Sequence, residues 1–403
     1  MTFSTGRTYL AIPGPSVVPD AVLSAMHRGS PDIYVGELPD MMPGVLHDLR
    51  AVARTAHHVA IYIANGHGAW EAVNTNLFSP GDKALVLVTG RFGEGWAQSI
   101  ERLGVKVDRL DFGRHDSVDP GRVAEALRAD TGHGIRAVVM THVDTSSSVR
   151  NDVRAVRAAL NDAGHPALLV VDCIASIGCE RFEMDDWGVD VAVGASQKGL
   201  MVPPGLGFVW LNSKAKQVGA KARLRTPYWD WTERAEAAEF YQLFGGTAPT
   251  HSLFGLRTAL GMILREEGLE NVWARHRQLA RAIWAAFDAW GDIKGAPRGI
   301  DLNIADPAFR SHAVTTARFD PPMATALRAW VAQNAGVTLG LGIGMAEKGT
   351  PAADAFLRVA HMGHVNAHMT LGVLGAMEAG MKALGIRHGE GALSAAAGVF
   401  ARL

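Results

Sequence analysis

Two residues 26 positions apart, Asp172 and Lys198, offer the clearest chemistry in this sequence. Lys198 follows residues 189–195, an alternation of Val and small residues that reads as a buried strand. The chain then breaks at Gly199 and at the turn Pro203-Pro204-Gly205. An amine at the end of a core strand is partly desolvated, which lowers its pKa and frees a neutral nitrogen able to form a Schiff base. Taken alone, Lys198 reads better as a strand-end lysine reaching solvent. What shifts the reading is the run 167–172, a second buried strand that delivers the Asp172 carboxylate at its carboxyl end. A lysine that makes a Schiff base and an aspartate that pairs with a pyridinium nitrogen are the two protein groups that pyridoxal phosphate chemistry requires.

The elements around this pair alternate between strand and helix. Residues 61–72 read as a short strand, the turn Asn65-Gly66-His67-Gly68 and a helix. Such a junction offers free backbone N–H groups and a positive helix end to a phosphate. It is neither a Walker loop nor a dinucleotide fingerprint, so a plain structural turn is the competing reading. Further strands are expected at 84–88, 105–110, 135–140 and 207–211, with helices between them; Asp119-Pro120 marks one helix start. Mostly continuous apolar runs suit parallel strands covered on both faces, with the chemistry at strand carboxyl ends.

The first 44 residues, broken by Pro13, Pro15, Pro19, Pro31, Pro39 and Pro43, read as an irregular arm with a short helix near 20–28. A long helix ends at Gly291, and beyond it the pattern suggests a small α+β unit with a strand at 314–318 and a helix at 322–334. The expected division is an arm at 1–20, a large domain at 21–275 and a small domain at 276–403.

Composition bounds the rest. A chain of 403 residues with 48% hydrophobic content has room for two domains and a substantial core. A net charge of −1 without blocks of like charge points to neither nucleic acid nor an anionic membrane. The two cysteines, Cys173 and Cys179, form no disulfide framework and suit a reducing compartment. With no apolar signal core at the start and no membrane-length apolar run, a cytoplasmic protein is expected. The spacing of His361, His364 and His368 could bind a metal on a helix, yet Gly363 interrupts that helix and no acidic ligand accompanies it, so no metal is expected. Gly340, Gly342 and Gly344 lack the spacing of a nucleotide loop, and Ser146-Ser147-Ser148 lacks a nucleophile elbow.

Taken together, Asn65-Gly66-His67-Gly68-Ala69-Trp70-Glu71-Ala72, Val171-Asp172-Cys173-Ile174-Ala175-Ser176, Gly194-Ala195-Ser196-Gln197-Lys198-Gly199 and Arg358-Val359-Ala360-His361-Met362-Gly363 resemble the class V aminotransferases. The likeness is strongest to their serine–glyoxylate and alanine–glyoxylate group, and it runs from about Pro13 to the C-terminal helices. It implies the α/β architecture of pyridoxal-phosphate fold type I: a large domain with a mostly parallel seven-stranded sheet between helices, plus a smaller C-terminal α+β domain.

On the matching positions the resemblance implies that Lys198 binds the cofactor covalently and that Asp172 pairs with its ring nitrogen. It implies phosphate-loop roles for Gly66, His67 and Gln197, a hydroxyl at Thr145 near the phenolic oxygen, and a ring at Phe92 against the cofactor, although Phe92 reads equally as core. Thr247 matches a phosphate ligand donated by a second subunit, which implies a homodimer sharing its sites. Arg358 matches the clamp on the substrate carboxylate, a bidentate task suited to guanidinium. Phe244 lies near where relatives place a phosphate-binding tyrosine, and Asp144 stands where Glu is more usual.

The implied reaction moves the amino group of L-serine or L-alanine to glyoxylate in two half-reactions. Alternatives are aspartate as donor, transfer between pyridoxamine and pyruvate with the vitamin as substrate, and a catalytically silent cofactor-binding scaffold.

Overall fold

Seven strands form the sheet that carries the site, in the order His58–Ala64, Gly205–Leu211, Val191–Ala195, Leu168–Asp172, Ile135–Thr141, Lys83–Val88 and Lys106–Asp111. Neighbours run parallel except Gly205–Leu211, which is antiparallel to both of its partners. The computed structural model describes residues 3–295 and 297–402. The strands Leu168–Asp172 and Val191–Ala195 are buried at every position, which is why they read as unbroken apolar runs. Side chains of these two strands and of Gly205–Leu211 alternate between two cores. Val171, Phe208 and Trp210 join one face with the helix Glu37–Ala53, whereas Val170, Val193 and Val209 join the other with the helix Gly66–Leu77.

A second sheet of five strands has the order Tyr9–Ala11, Val337–Leu341, Phe356–Ala360, Val314–Phe319 and Ile300–Leu302. Only the pair formed by Tyr9–Ala11 with Val337–Leu341 is parallel. The long helix Leu269–Gly291 serves both units. Leu269 and Val272 pack in the core of the large sheet, while Ile283, Phe287 and Trp290 pack on the small one. Between them His276 receives the Gly363 amide at Nε2 (3.0 Å) and donates from Nδ1 to the Val272 carbonyl (2.7 Å). Burial holds its pKa down to about 3, so the ring stays neutral and able to accept.

Two features depart from the reading of the first 44 residues. Tyr9–Ala11 is a strand and not irregular arm; three residues are too few to show a period. The helix Glu37–Ala53 begins inside that segment and contains Pro39 and Pro43. Pro39 falls in the first turn, where an N–H has no intrahelical partner in any case. Pro43 forfeits one bond, and the buried stripe Leu38, Met42, Val45, Leu49 and Val52 offsets that loss. Among the described residues no helix is long and apolar enough to cross a membrane.

Candidate active site

A cavity of about 280 Å³ opens at the carboxyl ends of the parallel strands, and Gly66, His67, Phe92, Thr145, Asp172, Gln197 and Lys198 all line it. The amine and the carboxylate singled out by their spacing therefore face one space.

Lys198 lies three residues past its strand, on a loop closed by the Val202 amide on the Ser196 carbonyl (3.0 Å) and by Ser196 Oγ on the Pro203 carbonyl (2.8 Å). Gly199 permits the loop to approach the core, because a Cβ there would stand 2.2 Å from the Ile177 carbonyl oxygen. The N-terminal segment covers the lysine from outside. The Lys198 amine donates to the Pro13 carbonyl, and Ser16 binds the Gln197 and Lys198 carbonyls through its amide (2.9 Å) and Oγ (2.7 Å). Gly14, at φ +97°, leaves space that a Cβ would take, 2.6 Å from the lysine side chain. Burial pushes the Lys198 pKa down to about 8, the Arg358 charge acts in the same direction, and Asp172 and Cys179 oppose it. A substantial neutral fraction is thus present near physiological pH, as a nucleophilic amine requires.

Asp172 ends its strand only 3% exposed. Burial raises its pKa to about 7 and Asp144 adds to the rise, while the Ile174 amide, the Trp70 indole and Lys198 pull it back. The Ile174 amide binds Oδ1 at 2.7 Å and Trp70 Nε1 binds Oδ2 at 2.8 Å. The sequence reading did not assign Trp70 a role, although a buried indole N–H ordinarily finds an acceptor. Nearby, the His67 ring packs at 4.6 Å on Trp70, and Phe92, half-buried, stands edge-on to it at 6.5 Å.

At the phosphate-loop end the structure corrects one expectation. The His67 and Gly68 amides are not free: both donate to Oδ1 of Asn65, at 3.1 and 3.3 Å, in an N-cap that asparagine makes well. Gly66 is held close to Ile174, 2.3 Å from where a Cβ would lie. Gln197 Oε1 is buried with no hydrogen-bond partner among the described residues. Phe244 is core within its own chain, 1% exposed and edge-on to Phe240 at 5.4 Å. Thr247 is exposed and lies outside the residues lining the cavity.

Arg358 reaches the site from the small sheet. Its Nε donates to the Leu341 carbonyl (2.6 Å) and its Nη1 to the Thr145 carbonyl (2.8 Å). Burial lowers its pKa to about 10 against the pull of Asp144, which leaves it charged at neutral pH. Asp144, fully buried, accepts the Phe92 and Gly93 amides (2.9 and 3.0 Å), the Ser146 amide (3.0 Å) and Ser146 Oγ (2.5 Å), fixing the helix start beside Phe92. The other serines are structural: Ser147 Oγ binds the Thr89 carbonyl, and Ser148 Oγ accepts the Thr316 amide. His361 is buried against Thr315 and the His312 carbonyl, so its ring faces the fold and not a metal site.

Residues 8–299 match the family described as Aminotransferase class-V. The chain belongs to this family. It is 35% identical over 407 aligned residues to a serine–glyoxylate aminotransferase of Methylorubrum extorquens, covering 98% of this chain and 96% of that one. It is 34% identical over 389 residues to an L-aspartate–glyoxylate aminotransferase of Paracoccus denitrificans, covering 95% and 93%. In fold it superposes on the pyridoxamine–pyruvate aminotransferase of Mesorhizobium loti with a TM-score of 0.88 at 24% identity, covering all of both chains.

The family's cofactor is pyridoxal 5′-phosphate, and this class V aminotransferase has the residues to hold it. An amine whose pKa burial has lowered and a carboxylate face one cavity, and the buried Gln197 oxygen without a partner marks a position that a bound group would complete.

Proposed function

We propose that this chain catalyses amino transfer from a small L-amino acid, serine or alanine, to glyoxylate, with Lys198 and Asp172 as its catalytic pair. The observation that carries the reading is that these two groups line the same cavity, with the charged Arg358, itself not a lining residue, bonded to the carbonyl of the lining residue Thr145. Bound there, pyridoxal phosphate supplies an electron sink for the pair released when the substrate's Cα–H bond breaks. Ionised Asp172 would hold a proton on the ring nitrogen. Arg358, whose Nη2 carries no hydrogen bond to the described residues, would take the substrate carboxylate. That grip would set Cα beside Lys198, whose Nζ would accept the Cα proton and hold it for return. The keto acid leaves before the second one enters, so the kinetics are ping-pong.

His67, Gln197 and Thr145 complete the binding shell at the cavity wall, with the amides of the Asn65 turn available once the Asn65 side chain yields. Thr247, exposed in a single chain, fits donation to the phosphate of a second copy, which makes the working form a homodimer. The buried free thiols Cys173 and Cys179 fit a reducing, cytoplasmic setting. Burial pushes both thiols well up, that of Cys179 to about 12, so neither serves as a nucleophile.

The test is a donor panel of L-serine, L-alanine and L-aspartate against glyoxylate and pyruvate, with an arm offering pyridoxamine and pyruvate. Serine or alanine with glyoxylate is expected to give the highest kcat/KM. Turnover confined to the pyridoxamine arm, or none in any arm, would overturn the reading.

A further inference from the structure

Trp70 sits on the first turns of the helix Gly66–Leu77, 2% exposed, with its indole aimed at Asp172. Its ring lines the cavity, and residues that do not line it fix its plane. The ring stacks on Trp96 at 5.5 Å and 6°, Trp96 Nε1 donates to Asn74 Oδ1 (2.9 Å), and Asn74 Nδ2 donates to Ser99 Oγ (3.2 Å). The donor is thus locked before any ligand arrives, and its 2.8 Å hydrogen bond to Asp172 joins two residues that are each no more than 3% exposed. A hydrogen bond to an ionised acceptor in such a place is worth more than one between neutral groups.

We propose that Trp70 is the positioning residue for Asp172: its indole N–H fixes the plane of the carboxylate and holds it in the ionised form that the ring nitrogen of the cofactor needs. This rests on the aminotransferase reading for its purpose but not for its measurement. Asp172 is poised for such control because burial alone would favour its protonated form. The charged or titratable groups facing it are Asp144, which favours protonation, and Lys198, which opposes it; the Cys173 thiol adjoins it and the His67 ring packs on the other side of Trp70. Burial sets the rise and the fixed donors, the Ile174 amide and Trp70, limit it; of the two, only Trp70 is a side chain open to substitution.

The experiment follows the Asp172 carboxyl carbon by NMR in cofactor-free protein labelled at aspartate, with the resonance assigned by its loss in Asp172→Asn. Trp70→Phe keeps an aromatic ring against Trp96 and deletes the donor together with one ring of the indole. The expected result is a titration midpoint raised by about one to two pH units. An unchanged midpoint would overturn the proposal. Because no cofactor is present, failure of the protein to transfer amino groups would sink the aminotransferase reading and leave this result standing.

If Trp70→Phe does not fold, the wild-type protein still decides. Its Trp70 indole resonance should move with the same midpoint as the Asp172 carbon, and an indole indifferent to that titration contradicts the bond. In the loaded enzyme, Trp70→Phe is expected to lower kcat about tenfold or more, with the acid limb of the pH profile moved upward. The donor KM should change little, since Arg358 is untouched. A loss expressed only in donor KM would show a merely structural role.

Discussion

Arg358, on the small sheet, is joined to the loop that follows the large sheet's strand Ile135–Thr141: its Nη1 donates at 2.8 Å to the carbonyl of Thr145, a residue that lines the cavity with Lys198. The guanidinium is committed on two of its nitrogens, with Nε on the Leu341 carbonyl at 2.6 Å, so its remaining edge points in a set direction. A carboxylate gripped there inherits an orientation dictated by the seam between the units.

Replacing Arg358 by Lys keeps the charge and loses the fork. A lysine cannot hold the two carbonyls and present two parallel donors as well. The expected outcome for Arg358→Lys is a fall in kcat/KM for donor and acceptor of about 10- to 100-fold, expressed mainly in KM, with cofactor affinity near that of wild type. Steady-state kinetics with cofactor in excess measures it, and an unaltered KM would remove Arg358 from the carboxylate site.

The depressed pKa of Lys198 is a stability statement. Its folded value is about 8 against an ordinary 10.5, so between those pH values the unfolded chain binds the extra proton and stability rises with pH. Below pH 8 the fold bears the whole cost of a buried ammonium. Lys198→Met in cofactor-free protein should therefore be more stable than wild type at pH 7 by about 1–3 kcal/mol, after allowing for the lost bond to the Pro13 carbonyl. The difference should shrink as pH rises through 8 toward 10.5. Urea unfolding across that range is the check, and a pH-independent difference would mean the amine is not desolvated.

A buried ion pair ties the units together behind the site. Glu180, 1% exposed, lies 2.7 Å from His312 Nδ1 and also accepts Ser311 Oγ at 3.1 Å. Burial alone would raise its pKa, but the His312 charge and hydrogen bond outweigh that and hold the carboxyl well below the usual range. A carboxyl shifted this way stabilises the fold above its unfolded pKa, with the benefit lost only in strong acid. Removing the ring in His312→Ala leaves the carboxylate only the Ser311 hydroxyl and the backbone amide of residue 312 and should cost about 1–3 kcal/mol, read as a lower denaturation midpoint at neutral pH. A variant within 1 kcal/mol or so of wild type would show the carboxylate is solvated.

The proposed homodimer makes a claim about Thr247. If its hydroxyl reaches the phosphate of a second copy, Thr247→Ala should weaken pyridoxal phosphate binding about tenfold, and wild-type affinity should fall on dilution below the dimer dissociation constant. Titration of cofactor at several protein concentrations measures both. A wild-type affinity independent of concentration, with sedimentation showing a monomer, would confine the site to one chain.

The strands Leu168–Asp172 and Val191–Ala195 were legible because burial on both faces writes itself as continuous Val and Ala, and the chemistry sits where such strands stop. What escaped was pairing over distance. Trp70 meets Asp172 from 102 residues away and Lys198 meets the Pro13 carbonyl from 185 away, and no local pattern encodes either. The Asn65 turn reads two ways for a different reason: the amides that could bind a phosphate are the same ones that an N-cap satisfies, so one signature serves two ends. Pro39 and Pro43 hid a helix because their cost is local while the apolar stripe that offsets it depends on the sheet beneath.

The most direct test of the central claim is chemical capture at Lys198. Protein loaded with pyridoxal phosphate is reduced with borohydride, digested and read by mass spectrometry. The account predicts the reduced cofactor on the peptide containing Lys198, and no capture when excess L-serine has first converted the enzyme. Cofactor fixed to a different lysine, or capture at Lys198 undiminished by every donor tried, would contradict it.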